Sequence, residues 1–396
     1  MKLFFIPKTL FFLLLTMNGH AQTQAGTIAP DAKTIEFDLN MPFRDGYAVV
    51  SKAGQYAIIN VNGDFVIPYG RYTFMEGFSR GLCPVERSGK WGFINELGQE
   101  VIACKYLRVH SFTKNGYALA TRSAPRAETV LLDRSGKETV IDAALAPPPE
   151  AAGSIYISSK GIHDKFGKLL LAQSFQKFHQ FSEGLAAVAM ADQSGVKWGY
   201  IDEKGKTIIP FQYTREPGDF SNGLAYVVPA DNVTDFPYGY IDKTGALKIR
   251  MPKGAARITS ENSSSFPKPS PFNASGYAIS GVMLNRKQCL VDTEGHLVTL
   301  PDLIDPEFKA FDPNSIQIES LAADDVLFRT KSGAMIVTLA GMVRVPPIFS
   351  DLDHFDPMSG LAPAALMNKS GAATQPRGYI NSEGVFVIVQ KEKSQW

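Results

Sequence analysis

Asn and Asp side chains recur along the chain with a Gly three residues later, and oxygen donors at regular intervals could ligate a hard cation. The pairs are Asn60/Gly63, Asn95/Gly98, Asp133/Gly136, Asp164/Gly167, Asp202/Gly205, Asp242/Gly245, Asp292/Gly295 and Asn381/Gly384, with Thr338/Gly341 as a weaker ninth. Calcium loops crowd several oxygen ligands into one short stretch. Each of these positions offers one, and Asn replaces Asp freely, so turn chemistry explains them better: the Asx side chain bonds the backbone two residues on. Gly205-Lys206-Thr207 imitates the end of a phosphate loop, but the earlier Gly of that motif would fall at Tyr200. His110, His163, His179, His296 and His354 lack metal-ligand spacing, and Cys83, Cys104 and Cys289 include no Cys-x-x-Cys pair. Ser is plentiful without Gly-x-Ser-x-Gly. No catalytic residue, cofactor-binding residue or metal ligand is assigned, and no cofactor is expected; an acid–base pair far apart in sequence stays open.

The elements that carry these turns repeat with them. Successive turn glycines lie between 31 and 50 residues apart, a spacing that marks a repeat architecture. Ahead of the turn stand Lys90-Trp91-Gly92-Phe93-Ile94-Asn95, Lys197-Trp198-Gly199-Tyr200-Ile201-Asp202, Tyr238-Gly239-Tyr240-Ile241-Asp242 and Arg377-Gly378-Tyr379-Ile380-Asn381. Behind it comes a β-branched run such as Phe65-Val66-Ile67-Pro68 or Thr207-Ile208-Ile209-Pro210. Two such runs joined by Asx-x-x-Gly predict a hairpin, with Pro68, Pro210 and Pro346 ending its second strand. Upstream lies a third strand of the form Gly46-Tyr47-Ala48, Gly81-Leu82-Cys83 or Gly184-Leu185-Ala186. A Phe stands shortly ahead of it, usually by three residues (Phe43, Phe78, Phe181, Phe220 and Phe355). The second residue after Gly is always small, which predicts a tightly packed face. Pro84 and Pro363 on the alternate face suggest an edge strand.

The combined pattern, Phe-x-x-Gly-Leu-Ala, then Lys-Trp-Gly-Tyr-Ile-Asp-x-x-Gly, then Ile-Ile-Pro, resembles the WG repeat (also called KWG repeat) of bacterial proteins. The signature positions are Trp91, Gly92, Asn95, Gly98, Trp198, Gly199, Asp202, Gly205, Gly239, Asp242, Gly245, Gly378, Asn381 and Gly384, all in structural roles. The resemblance runs from about Phe43 to Val389 and implies β-rich repeats with a binding role and no transferable catalytic residues. Trp91 and Trp198 could be stacking platforms, but their strand position beside Gly favours packing against a neighbouring unit. Cys83 fills the small Ala column, Cys289 the Gly92 column and His163 the Ile94 column, so all three read as interior residues.

Met1–Lys2 and the apolar run through Met17, ending in Gly19-His20-Ala21, predict a secretory leader cut after Ala21, with Ala25 as the fallback. Localisation is then secreted or periplasmic, with no lipoprotein Cys at the cut and no later stretch suited to a membrane span. Lys plus Arg number 40 against 39 acidic residues, and the leader removes only Lys2 and Lys8. That balance, with export, argues against nucleic acid as a partner. The chain divides into 1–21, the leader; 22–42, a lead-in; 43–142, three repeats; 143–153, a Pro/Ala-rich link; 154–258, three repeats; 259–271, a Ser/Pro-rich insertion; 272–390, three divergent repeats; and 391–396, a tail.

A lone hairpin cannot bury its apolar face, so units of about 42 residues must lean on neighbours. The fold class expected is all-β, with tandem hairpin or blade repeats packed radially as in a propeller or toroid; an open curved β-solenoid is the alternative. The function expected is a non-enzymatic exported scaffold for an unknown protein or polysaccharide partner. The alternative is a polysaccharide-active hydrolase or lyase on the same scaffold.

Overall fold

The computed structural model describes residues 25–113, 116–123, 127–142, 155–193, 195–228, 238–252, 269–284, 287–299, 317–330, 332–367 and 373–391. The expected leader, the 143–153 link, most of the 259–271 insertion and most of the tail lie outside these residues.

Local bonding dictates one repeating element. At Asn60, Oδ1 accepts the N–H groups of Asn62 and Asp64, both at 3.0 Å, while the Asn60 carbonyl accepts from Gly63 N–H at 2.9 Å. The same set recurs at Asn95, Asp133, Asp164, Asp202, Asp242, Asp292 and Asn381. Thr338 keeps the carbonyl bond to Gly341 and lends its hydroxyl to Met342 N–H at 3.1 Å. A carboxylate or amide oxygen satisfies two turn donors at once, which is why Asn and Asp interchange here. A second turn lies after each Phe. Asp45-Gly46, Arg80-Gly81, Glu183-Gly184 and Asn222-Gly223 have positive φ at both residues, as a two-residue type I′ hairpin requires.

These turns connect antiparallel meanders. An N-terminal strand β1 (Ile28–Ile35) precedes the first sheet, β2 (Leu39–Asn40), β3 (Tyr47–Lys52), β4 (Gln55–Asn60) and β5 (Phe65–Ile67). The second holds β6 (Phe74–Met75), β7 (Leu82–Arg87), β8 (Lys90–Asn95) and β9 (Glu100–Tyr106). The third holds β10 (Arg108–Val109), β11 (Tyr117–Arg122), β12 (Glu128–Asp133) and β13 (Glu138–Ile141). A three-stranded sheet follows, β14 (Ile155–Ser158), β15 (Gly161–Asp164) and β16 (Leu169–Ala172). The fifth is β17 (Lys177–Phe178), β18 (Leu185–Asp192), β19 (Gly195–Asp202) and β20 (Thr207–Tyr213). Two three-stranded sheets come next: β21 (Leu224–Val227), β22 (Gly239–Asp242) and β23 (Leu247–Arg250), then β24 (Tyr277–Leu284), β25 (Lys287–Asp292) and β26 (Leu297–Thr299).

The last two repeats merge. β27 (Gln317–Ala322), β28 (Asp325–Thr330), β29 (Gly333–Thr338), β30 (Val343–Leu352), β31 (Ala362–Met367), β32 (Ala373–Ile380) and β33 (Phe386–Gln390) lie in that order in one sheet. β30 ends the eighth repeat and opens the ninth, and β1 adds to β33 in parallel. The fold is all-β, and among the described residues no helix is long and apolar enough to cross a membrane.

The chain falls into two compact units, Met1–Arg71 with Leu300–Trp396, and Tyr72–Thr299. Within each, apolar clusters span consecutive repeats. In the second unit one joins Trp198, Tyr200 and Ile209 to Phe220, Ala225 and Ile241 of the following repeat. In the first, Phe43, Ala48 and Ile59 pack with Tyr379 and Ile388, so the ninth repeat meets the first. The small column is buried throughout: Ala48, Cys83, Ala118, Ala186, Ala225, Ala278 and Ala362 are each at most 1% exposed.

Two expectations about proline need correction. Pro84 and Pro363 are not on edge strands; β7 and β31 are inner strands. β6 pairs only with Val85 and Glu86, and Asp353 bonds the Pro363 carbonyl just past β30, so each Pro lies where the adjacent ladder has ended. Pro68 follows β5, but Pro210 and Pro346 stand inside β20 and β30. Both occupy bulges where the ladder skips residues, and a missing donor costs nothing there.

Candidate functional site at the repeat junctions

The Trp-Gly pair is the point at which one strand is forced to bulge. Trp91 pairs with Tyr106 and Phe93 with Ile102, so β9 loops out two extra residues opposite Gly92. β20 does the same opposite Gly199, with Trp198 on Tyr213 and Tyr200 on Ile209. A Cβ on Gly92 would lie 2.4 Å from Ile102 O, and one on Gly199 2.7 Å from Ile209 O, so no larger residue fits without moving backbone. Gly239 and Gly378 face the corresponding carbonyls of Ile249 and Ile388 as closely. Where Cys289 stands instead, it pairs with Thr299 in an uninterrupted ladder.

Trp198 is 4% exposed, its ring centroid 5.4 Å from that of His179; Trp91 is half-buried, with its ring centroid 5.7 Å from that of Phe74. A covered indole offers no stacking face, so Trp198 packs the repeat and its neighbour together. The aromatic after Gly seals the junction. Phe93 meets Phe112 of the following repeat at 4.9 Å, Tyr200 meets Phe220 at 4.9 Å and Tyr240 meets Phe272 at 5.1 Å. In the first unit Tyr379 meets Phe43 at 4.8 Å. Tyr200 O–H donates to Gly218 O, and Tyr379 O–H to Met41 O, both at 2.7 Å and both two residues before the Phe. Ser79, Ser182 and Ser221 donate to the carbonyls of Phe112, Phe220 and Phe272 in the next repeat. Phe112 and Phe272 lie four residues before their Gly, so a three-residue spacing overlooks them.

Polar side chains gather just before each Phe. His179 places Nδ1 2.7 Å from Asp219 Oδ1 and Nε2 3.2 Å from Glu216 Oε1, both in the next repeat. The Asp219 carboxylate holds the imidazole above its ordinary pKa, against burial, with Glu216 adding to the rise. Tyr226 O–H fixes that loop by donating to Glu216 O at 2.9 Å. Glu76 accepts from Ser111 at 2.9 Å at the equivalent place between the second and third repeats of the same unit. Gln180 reaches back instead, pairing its amide with both backbone groups of Ile157 at 3.0 Å.

The remaining histidines and cysteines have local roles. His163 is 1% exposed, stacks on Tyr156 at 5.1 Å, and has Ser158 Oγ at 2.8 Å and Gly167 O at 3.2 Å, which suits an interior Ile column. His296 pairs with Asp292 on its own turn. His354 lies beside Ser320, and His110 bonds Leu119 through its backbone. Cys83, Cys104 and Cys289 are free thiols, and burial raises the pKa of Cys83 and Cys104. Among the described residues no group of three His, Cys, Asp or Glu could hold a metal ion. Sequence reading passed over His179, Glu216 and Asp219; the available signal was that the one or two positions before each Phe are polar in most repeats.

The family pattern described as WG containing repeat matches residues 56–91, 91–121 and 198–228. The chain contains WG repeats. No curated protein matches it by sequence. Among solved structures, the eukaryotic initiation factor shares 10% identity at a TM-score of 0.52, covering 86% of this chain and 95% of that one. Hsv2 of Kluyveromyces lactis shares 9% identity at a TM-score of 0.27, covering 84% and 94%. The structural neighbours are β-propeller proteins, and at such identity the likeness concerns fold alone. The all-β fold of blade-like WG repeats expected from the sequence is the fold found.

Proposed function

We propose that the WG repeats form an exported, non-enzymatic scaffold that presents an extended surface to a protein or polysaccharide partner, the leader being cut after Ala21. One observation carries this reading. The interior columns barely vary, while the third residue after the turn Gly changes from Val101, 41% exposed, to Leu170, 52% exposed, to Lys248, also exposed. A constant frame bearing different outward side chains is how repeat proteins build binding surfaces. Exposed apolar residues on short outer strands also add contact area.

Tagged mature protein is incubated with envelope extract and with a polysaccharide panel, beside a Val101→Asp/Leu170→Asp variant whose circular dichroism matches wild type. A partner retained by wild type and lost by the variant supports the proposal. Recovery of nothing above background contradicts it, as does release of polysaccharide fragments by the wild-type protein.

A further inference from the structure

In the second unit the Asx turns line up, and their charges are unevenly matched. Each turn Gly rests on the last strand of the repeat before it: Gly136 lies against Ile102, Gly205 against Leu171, Gly245 against Ile209 and Gly295 against Ile249. Lys165 in the fourth repeat's turn reaches back likewise, with Nζ 4.7 Å from the Tyr117 ring centroid of the third. Consecutive turns are therefore neighbours in one row at one end of the sheets. In the third, fourth and fifth repeats that row carries Arg134, Lys137, Lys165, Lys168, Lys204 and Lys206, and none of the six forms an ion pair among the described residues. The acids in these turns are Glu203 and Asp133, Asp164 and Asp202, the last three each with Oδ1 occupied by two turn N–H groups. Beyond this stretch the cations are committed: Lys243 of the sixth turn is 3.1 Å from Glu183, and His296 of the seventh is 2.8 Å from Asp292. The turn of the second repeat, Asn95-Glu96-Leu97-Gly98, carries no cation.

We propose that this row binds an acidic polysaccharide, its carboxylate or sulfate groups meeting the six cations and a sugar ring lying on Phe166. Unpaired cations in one row build a local positive potential although the chain as a whole is nearly neutral, 40 basic against 39 acidic residues. Their N–H groups form charge-assisted bonds to such anions. Phe166 is 40% exposed, and Tyr117 meets it edge-on at 5.8 Å. An exposed ring braced by a second one offers apolar surface to the C–H face of a sugar, while Lys165 and Lys168 on either side take its charge. A bilayer suits the row less, because Ser135 and Lys204 stand at the Phe166 position in the neighbouring turns and give no apolar tip to insert. The proposal rests on the scaffold reading in taking a polysaccharide as partner, and it names the chemistry of that partner and the end of the sheets that meets it.

The test measures binding of the full mature chain to polygalacturonate and to dextran sulfate by calorimetry, beside unmodified dextran, single-stranded DNA and vesicles of phosphatidylglycerol. Wild type should bind at least one of the two acidic polysaccharides, more weakly as salt is raised, and should not bind dextran. Lys165→Glu/Lys168→Glu should weaken that binding about 10-fold or more. Lys90→Glu/Lys160→Glu makes the same change of charge at the ends of β8 and β15 away from the turns, and should leave it unchanged. Phe166→Ala should weaken it about 5-fold with the salt dependence kept. Each variant is compared once its circular dichroism matches wild type. Failure of both acidic polysaccharides to bind overturns the proposal, and so does an equal loss in the two lysine variants. Dextran, DNA or vesicles bound as tightly as the acidic polysaccharide overturn it too. The envelope partner lost by the Val101→Asp/Leu170→Asp variant is read separately, so failure here leaves the scaffold proposal standing.

Discussion

Single side chains in these repeats are held by short, directional bonds, and their titration follows from the partners. The Ser135 hydroxyl and the Lys137 N–H hold Asp133 below the usual carboxylate range, and the Thr244 hydroxyl does most to lower Asp242. A lowered folded value means the contribution to stability is present above the unfolded pKa, about 3.9, and is lost as pH falls through the folded one. Asn60, Asn95 and Asn381 make the same turn without titrating. Asp133→Asn/Asp242→Asn should therefore flatten the loss of stability below pH 4, measured as the thermal midpoint against pH; an unchanged acid limb would refute this. His179 runs the opposite way. Its folded value is raised by Asp219, so its contribution is full below about pH 6.5 and fades as pH rises through the raised value. His179→Gln should cost about 1 kcal/mol at pH 6 and less at pH 9; a deficit that grows with pH would contradict the assignment.

At the scale of elements, the glycine of the Trp-Gly pair sets the bulge. Gly92→Ala or Gly199→Ala should cost about 1–3 kcal/mol, because the added methyl meets a backbone carbonyl that cannot step aside. Denaturant titration checks it, and a neutral Gly199→Ala would remove the explanation. The turns were legible in sequence because Asx-x-x-Gly bonds within itself and needs no distant partner. The bulges were not legible, since register is decided across strands: Pro210 and Pro346 looked like strand ends although each stands in a looped-out stretch. Phe112 and Phe272 were missed because a longer loop separates them from their Gly while they reach the same aromatic neighbour. Ser320 on β27 and His354 after β30 come within 2.7 Å of each other, which no spacing rule encodes.

Across the whole chain, repetition was visible and its joining was not. Nothing in the pattern indicated that β1 would pair in parallel with β33, where Phe386 N–H bonds Thr27 O at 2.9 Å and Lys391 N–H bonds Ile35 O at 2.7 Å. Removing residues through Ile35 should uncover the β33 edge and lead to self-association by light scattering; a monomer with an unchanged melt would show the strand to be dispensable. The central claim is that one aromatic contact joins repeats at four junctions, second to third, fifth to sixth, sixth to seventh and ninth to first. The most direct measurement compares Phe43→Ala, at the Tyr379 contact, with Phe220→Ala, at the Tyr200 contact. Both should lose about 3–5 kcal/mol. A Phe43→Ala protein as stable as wild type, beside a destabilised Phe220→Ala, would contradict it.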